Sequence, residues 1–186
     1  LHEAHAVMCD GQALDLTFET SASVERDAYF EMIGAKTAAL FAASAGMGAL
    51  CAPCDDATVA QYRTLGREFG IAFQIRDDVL GVWASRDETG KTAGHDIVRR
   101  KWTYPVVWAL AGPPSRARDV VAAAYADRES LDATALGEVV AALDSLGARE
   151  AANRAIAKHV TFVQRHPVAS VRDFLLGSMQ LQRFPK

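Results

Sequence analysis

Apolar residues recur at helical spacing over most of the chain, and no stretch alternates apolar and polar positions long enough to argue for a strand. Leu65, Phe69, Phe73 and Leu80 share one face of a helix predicted over residues 56–83. Residues 1–17 and 26–51 form two further long helices, the second with few breakers before Gly46, Gly48 and Pro53. Gly90 and Gly94 punctuate a loop. Residues 95–111 read as helical with a kink or restart at Pro105. Gly112-Pro113-Pro114-Ser115 is a turn with Ser115 as an N-cap. Shorter helices follow near residues 115–126, 132–145, 148–165 and 168–178. The expected fold class is all-α.

Cys51-Ala-Pro-Cys54 has the CxxC spacing of a redox pair or half a zinc site. No strand feeds it, and no second pair of ligands lies at a useful distance. It reads as a turn between helices, with Pro53 ending one and Asp55 and Asp56 opening the next.

Composition narrows the class. A chain of 186 residues buries a substantial core, so one domain is the default. The net charge of −3 gives no basic surface for nucleic acid. No uninterrupted apolar run reaches the ~18 residues of a membrane span, and no basic-then-apolar leader is visible. The start at Leu1 hints that sequence upstream is missing. Three cysteines, few and odd in number, suit a reducing cytoplasm better than a disulfide scaffold.

The chemistry concentrates in residues 69–101. An apolar run ends in adjacent carboxylates, Asp77 and Asp78, and lysines follow at Lys91 and Lys101 in a glycine-containing stretch. Gln74 precedes the carboxylates by three and four residues and Gly81 follows them by the same spacing, so all border one helix face. Magnesium takes one or two carboxylates, keeps waters and shares phosphate oxygens. Lysine is a compact point charge suited to phosphate. Carboxylates beside lysines at the end of an apolar helix suit a magnesium-bound diphosphate with an apolar tail. Each element has a plainer reading. Asp77 and Asp78 also fit an acidic helix end in water near Arg76 and Arg86. Lys36-Thr37 fits an exposed lysine beside a helix-internal threonine, and Gln12 and Asp15 fit a solvated helix face.

The order of the blocks favours the chemical reading. Gly11-Gln12-x-x-Asp15-Leu16, then Tyr29, Met32 and Lys36-Thr37, then Phe73-Gln74-x-x-Asp77-Asp78, then Gly90-Lys91, Gly94, Asp96 and Lys101 resemble the trans-isoprenyl diphosphate synthases, the polyprenyl synthetase family. The resemblance covers residues 1 to about 110 and includes the family's second aspartate-rich motif. It implies an isoprenoid synthase-type helical bundle without its N-terminal helices, with residues 1–186 as the C-terminal part of one all-α domain and the long helices 1–17, 26–51 and 56–83 around a cavity.

The resemblance also implies an enzyme. This would be a magnesium-dependent prenyltransferase condensing isopentenyl diphosphate with an allylic diphosphate to a polyprenyl diphosphate such as farnesyl or geranylgeranyl diphosphate. Asp77 would be the principal metal ligand and Asp78 its support. Lys36, Lys91 and Lys101 would hold diphosphate. Thr37, Phe73 and Gln74 would line the reacting centre. Gln12 and Asp15 would border the cavity, and Asp96 would anchor the lysine-bearing loop.

Two departures stand out. The last acidic position of the motif is Gly81, and the family's first Asp-Asp-x-x-Asp is absent. Asp55-Asp56 does not replace it, because no acidic residue follows within five positions. The chain alone therefore reads as an incomplete enzyme. A homodimer or a partner chain supplying the first motif is expected. A non-catalytic or regulatory subunit of a heteromeric synthase, or a class I terpene cyclase, remains the alternative.

Overall fold

The computed structural model describes residues 1–86, 90, 92–126 and 131–179, and all regular structure among them is helical. In chain order the α-helices are α1 (His2–Phe18), α2 (Arg26–Ile33), α3 (Ala39–Leu50), α4 (Asp56–Trp83), α5 (His95–Val98), α6 (Tyr104–Leu110), α7 (Arg116–Ala126), α8 (Ala133–Ser145), α9 (Ala148–Gln164) and α10 (Ala169–Ser178). A π-helical turn, Gly34–Ala38, joins α2 to α3.

The long helix expected over 56–83 forms as predicted, and Asp55 caps it by accepting from the Thr58 N–H at 2.8 Å. Ser115 caps α7 and Asp132 caps α8 in the same way, at 3.2 Å and 2.7 Å. One expectation changes and one is met. The 26–51 helix is not uniformly α, since the π turn interrupts it. The 95–111 stretch breaks into α5 and α6, because Arg100 adopts a left-handed φ of 51° and the chain restarts at Tyr104-Pro105, where proline suits the first helical turn. Cys51 and Cys54 lie free and exposed in the turn after α3. Taken through the π turn, Arg26–Leu50 is long and apolar enough to cross a membrane by length and composition alone. The sequence reading finds no apolar run of that length, since Asp27, Glu31 and Lys36 lie among the apolar residues.

The chain divides into two compact units. The first comprises Leu1–Gln12, Ile33–Gln74 and the described residues from Ala155 onward. In it α4 lies directly on the α3 segment. A Cβ on Gly66 would strike the Phe41 carbonyl, and one on Gly70 would sit 2.7 Å from Ala38 Cα. Glycine at these two positions lets the backbones touch. Phe41 then packs edge-on against Phe69, with ring centroids 5.0 Å apart, and tilted against Phe73 at 5.4 Å. His159 Nδ1 meets Glu68 Oε2 at 2.6 Å and ties α9 to α4. Within this unit α3, α4 and α10 enclose a cavity of about 770 Å³ with mainly apolar walls, including Phe41, Ala45, Ala49, Leu65, Phe69 and Phe73. A cavity was expected among the long helices, but α1 contributes no wall to it.

The second unit comprises the described residues of Ala13–Met32 and Ile75–Arg154. Ile75, Val79 and Val82 of α4 are buried with Val106, Val107, Val121 and Leu143. Trp83, at the end of α4, donates from Nε1 to Asp144 Oδ1 at 2.8 Å and carries the Arg149 guanidinium over its ring at 5.4 Å. These contacts fix the last turns of α4, which bear Asp77 and Asp78.

Candidate active site

Asp77 and Asp78 occupy opposite environments. Asp77 is exposed. Asp78 is 5% exposed. Its Oδ2 accepts from the Tyr29 hydroxyl at 2.6 Å and from the Tyr104 backbone N–H at 2.8 Å. The second bond has a local cause. Tyr104 opens α6, where backbone N–H groups lack intrahelical partners. Thr103 makes no side-chain cap there, and Pro105 has no N–H to offer. Asp78 therefore caps α6 from across the unit, with its negative charge at the positive end of the helix. Burial, then the Asp78 charge, raises the Tyr29 hydroxyl well above its ordinary pKa, so it remains a donor. Tyr29 also stacks edge-on with Tyr104 at 5.8 Å. Arg76, beside the pair, has its pKa lowered by burial, with the Asp77 charge opposing.

Lys101 lies half-buried after α5. Its backbone is clamped on both sides: its N–H donates to the Asp96 carbonyl at 2.9 Å, and its carbonyl accepts from the Tyr125 hydroxyl at 2.8 Å. Asp96 is buried in α5. Lys91 lies outside the described residues.

In the first unit, the π turn carries Lys36 and Thr37. π-turns widen a helix by one residue and recur at functional positions. The Thr37 hydroxyl donates to Gln74 Oε1 at 2.7 Å. Phe73, next to Gln74, is half-buried against Phe41 and lines the cavity. Gly11 of α1 lies so close to the Lys36 backbone that a Cβ would strike the Lys36 nitrogen. Gln12, its neighbour, is exposed. Asp15, in the second unit, is half-buried.

The geometry thus joins Thr37 with Gln74, and Asp78 with Tyr29 and Tyr104. Tyr104 carried no assignment in the sequence reading, and Tyr29 entered only as part of a motif. Their partner is 26 and 49 positions away, a separation that leaves no local signal. The π turn leaves no such signal either, because its buried Gly34 and Ala38 keep the four-residue spacing of an ordinary helix.

Hard carboxylate and hydroxyl oxygens with no thiolate fit a hard divalent cation. No group of three or more His, Cys, Asp or Glu residues converges among the described residues. Of the two carboxylates, Asp77 is the one that is exposed.

The sequence profile of the polyprenyl synthetase family matches residues 1–143. The geranylgeranyl diphosphate synthase of Mycobacterium tuberculosis is 39% identical over 147 residues, covering 79% of this chain and 42% of that protein. Among solved structures, the polyprenyl synthetase of Streptomyces coelicolor superposes with a TM-score of 0.85 at 28% identity, over 96% of this chain and 56% of that one. The polyprenyl synthase of Caulobacter crescentus, complexed with calcium and isoprenyl diphosphate, gives 0.81 at 29% identity, over 94% and 54%. The chain spans about half the length of the curated relatives it matches. With the motif order, the all-helical fold and these matches in agreement, the chain belongs to the polyprenyl synthetase family.

Proposed function

We propose that this chain is the part of a trans-prenyltransferase that carries the second aspartate-rich motif. The protein to which it belongs would join isopentenyl diphosphate to an allylic diphosphate. The observation that carries this reading is the sorting of the acidic pair: α4 presents Asp77 to solvent while Asp78 locks the turn beneath it to Tyr29 and Tyr104. A solvent-facing carboxylate on an immobilised turn is a pre-organised ligand. A magnesium ion bound there would offset charge developing on the leaving diphosphate.

The chain's own groups do the rest. Lys36, Lys91 and Lys101 hold diphosphate oxygens. The allylic C–O bond breaks with its electron pair on the diphosphate. The double bond of isopentenyl diphosphate attacks the cation, and a proton leaves. Thr37 fixes the Gln74 amide at the reacting centre, and Phe73 contributes a π face. The apolar cavity takes the growing tail and excludes water that would quench the cation. Gln12 and Asp15 border the site. The names of the relatives point to chain elongation and do not favour a cyclase or regulatory subunit. The free cysteines support a cytoplasmic location. The first aspartate-rich motif would come from outside these 186 residues, in the same chain or a partner.

The test uses the complete enzyme, this chain together with the segment or partner that supplies the first motif, with isopentenyl diphosphate, geranyl diphosphate and magnesium, read by mass spectrometry. A linear prenyl diphosphate that disappears on chelation is expected. A cyclic hydrocarbon, or no metal-dependent product, would overturn the proposal.

A further inference from the structure

The short helix α5 ends in an irregular turn, and that turn carries Lys101. The Arg100 N–H donates to the Ile97 carbonyl at 2.9 Å, and the Lys101 N–H reaches back to the Asp96 carbonyl at 2.9 Å. This pair of bonds closes a helix by turning one residue left-handed. Glycine, with no Cβ to clash, takes that place far more readily than other residues. Here the residue is Arg100, with a φ of 51°, and among the described residues it is the one non-glycine with a positive φ. A side chain in this conformation is strained, so groups beyond the turn must hold it.

The last turn of α7 supplies them. Arg100 Nε donates to the Ala124 carbonyl at 2.9 Å, and Nη1 makes a longer contact with the Val98 carbonyl at 3.4 Å. Ala124 is among the last four residues of α7, whose carbonyls lack intrahelical partners. A guanidinium is favourable at this negative end of a helix. The next residue of α7 grips the other side of the turn. Tyr125 donates its hydroxyl to the Lys101 carbonyl at 2.8 Å and packs edge-on against Trp102, with ring centroids 5.3 Å apart. Burial, then the Asp96 charge, raises the Tyr125 hydroxyl above its ordinary pKa, so it stays a donor. The end of α7 thus holds the residues on both sides of Lys101 as well as the Lys101 backbone.

We infer that Arg100 is a positioning residue for Lys101: its guanidinium, bonded to the end of α7, stabilises the left-handed turn that places the lysine. The strain at residue 100 is then retained because the side chain that suffers it also ties the turn to a second helix. Arg100 touches no substrate in this scheme and acts only through its neighbour. The inference rests on the reading of Lys101 as a diphosphate-holding group.

The test measures binding of inorganic diphosphate with magnesium to the complete enzyme by titration calorimetry. Arg100→Ala removes the guanidinium but keeps a Cβ in the left-handed turn, so binding should weaken about tenfold. Arg100→Gly also removes the guanidinium, but glycine adopts the turn freely and should recover most of that loss. Binding by the glycine variant as weak as by the alanine variant would show that the guanidinium meets the diphosphate itself, and would overturn the positioning role. The second arm is a double-mutant cycle with Lys101→Ala. Once the lysine is gone there is nothing left to position, so Arg100→Ala should cost no further affinity in that background. Equal losses in both backgrounds would sink the inference and leave the proposed function standing. A lower melting midpoint of Arg100→Ala at wild-type affinity would mark the residue as merely structural and sink it equally. Wild-type binding by Lys101→Ala alone would instead strike the diphosphate role of Lys101 in the proposed function, and the inference with it.

Discussion

Neighbouring residues on a helix project about 100° apart, and in α4 that angle separates a carboxylate in water from one sealed among aromatic rings. Removing each should have a different signature. Asp78→Ala leaves the buried Tyr29 hydroxyl and Tyr104 N–H without their acceptor. Each orphaned group costs about 1–3 kcal/mol, so unfolding in denaturant should show a loss of roughly 2–6 kcal/mol. Asp77→Ala should change stability by less than about 0.5 kcal/mol yet lower magnesium-dependent turnover of the complete enzyme by about 100-fold. Asp78→Asn, which keeps an acceptor oxygen, should reduce turnover less than Asp77→Asn. The reverse order would show that the metal face is misassigned. Tyr29 adds a pH dependence. Its hydroxyl titrates above the unfolded value of 10.0 because it is buried beside Asp78. Its contribution is therefore complete below pH 10 and is lost as pH rises towards the folded pKa. Tyr29→Phe should flatten the alkaline fall of stability above pH 10, and an unchanged alkaline limb would contradict the buried pairing. Asp77, Asp78, Lys36 and Thr37 stood out in the sequence through the order of the family-like blocks, since each alone reads as a solvated or helix-internal residue. Which carboxylate is buried did not, because that depends on tyrosines distant along the chain.

Helices with caps and regular spacing were legible nearly to their ends, as the Asp55 cap and the Leu65–Phe69–Phe73 stripe of α4 illustrate. Irregular backbone was harder to read. The π turn leaves no mark in the pattern, because buried Gly34 and Ala38 keep ordinary helical spacing, and Arg100, which gives no warning in its side chain, adopts a left-handed conformation. The π turn sets the Thr37 hydroxyl on Gln74. Thr37→Ser should preserve that bond and most turnover. Thr37→Val should lower turnover about tenfold at a stability change near 1 kcal/mol, and equal activity of the two variants would remove the bond from the mechanism. Gly66 tests the packing of α4 itself. Alanine there gains helix propensity but collides with the Phe41 carbonyl, and overpacking of this kind costs about 1–3 kcal/mol. Calorimetry showing Gly66→Ala to be as stable as wild type would mean that the two backbones separate easily.

At the scale of the molecule, an all-helical family fold was readable because apolar residues recur at helical spacing and four motif blocks occur in one order. The cavity was expected only in outline, since its walls come from α3, α4 and α10, whose lining residues are scattered between Phe41 and Ser178. The same scale decides what the 186 residues do by themselves. They hold an exposed Asp77, the docked Lys101 segment and a fixed Thr37–Gln74 pair. Among the described residues, no three His, Cys, Asp or Glu side chains converge to hold a metal unaided. Ionising an allylic diphosphate without a full complement of cations forfeits several kcal/mol of leaving-group stabilisation, and each ~1.4 kcal/mol is tenfold in rate. The 186-residue polypeptide should therefore bind magnesium diphosphate weakly and release essentially no prenyl product when incubated with both diphosphate substrates. The same residues joined to a segment that supplies the first aspartate-rich motif should turn over under the same conditions. Supplying a separately expressed segment that bears an Asp-Asp-x-x-Asp motif should restore product if the two parts assemble. Robust synthesis by the homogeneous 186-residue polypeptide would mean that a complete cation site forms within it, and the assignment of Asp77 as one ligand of a larger shell would have to be abandoned.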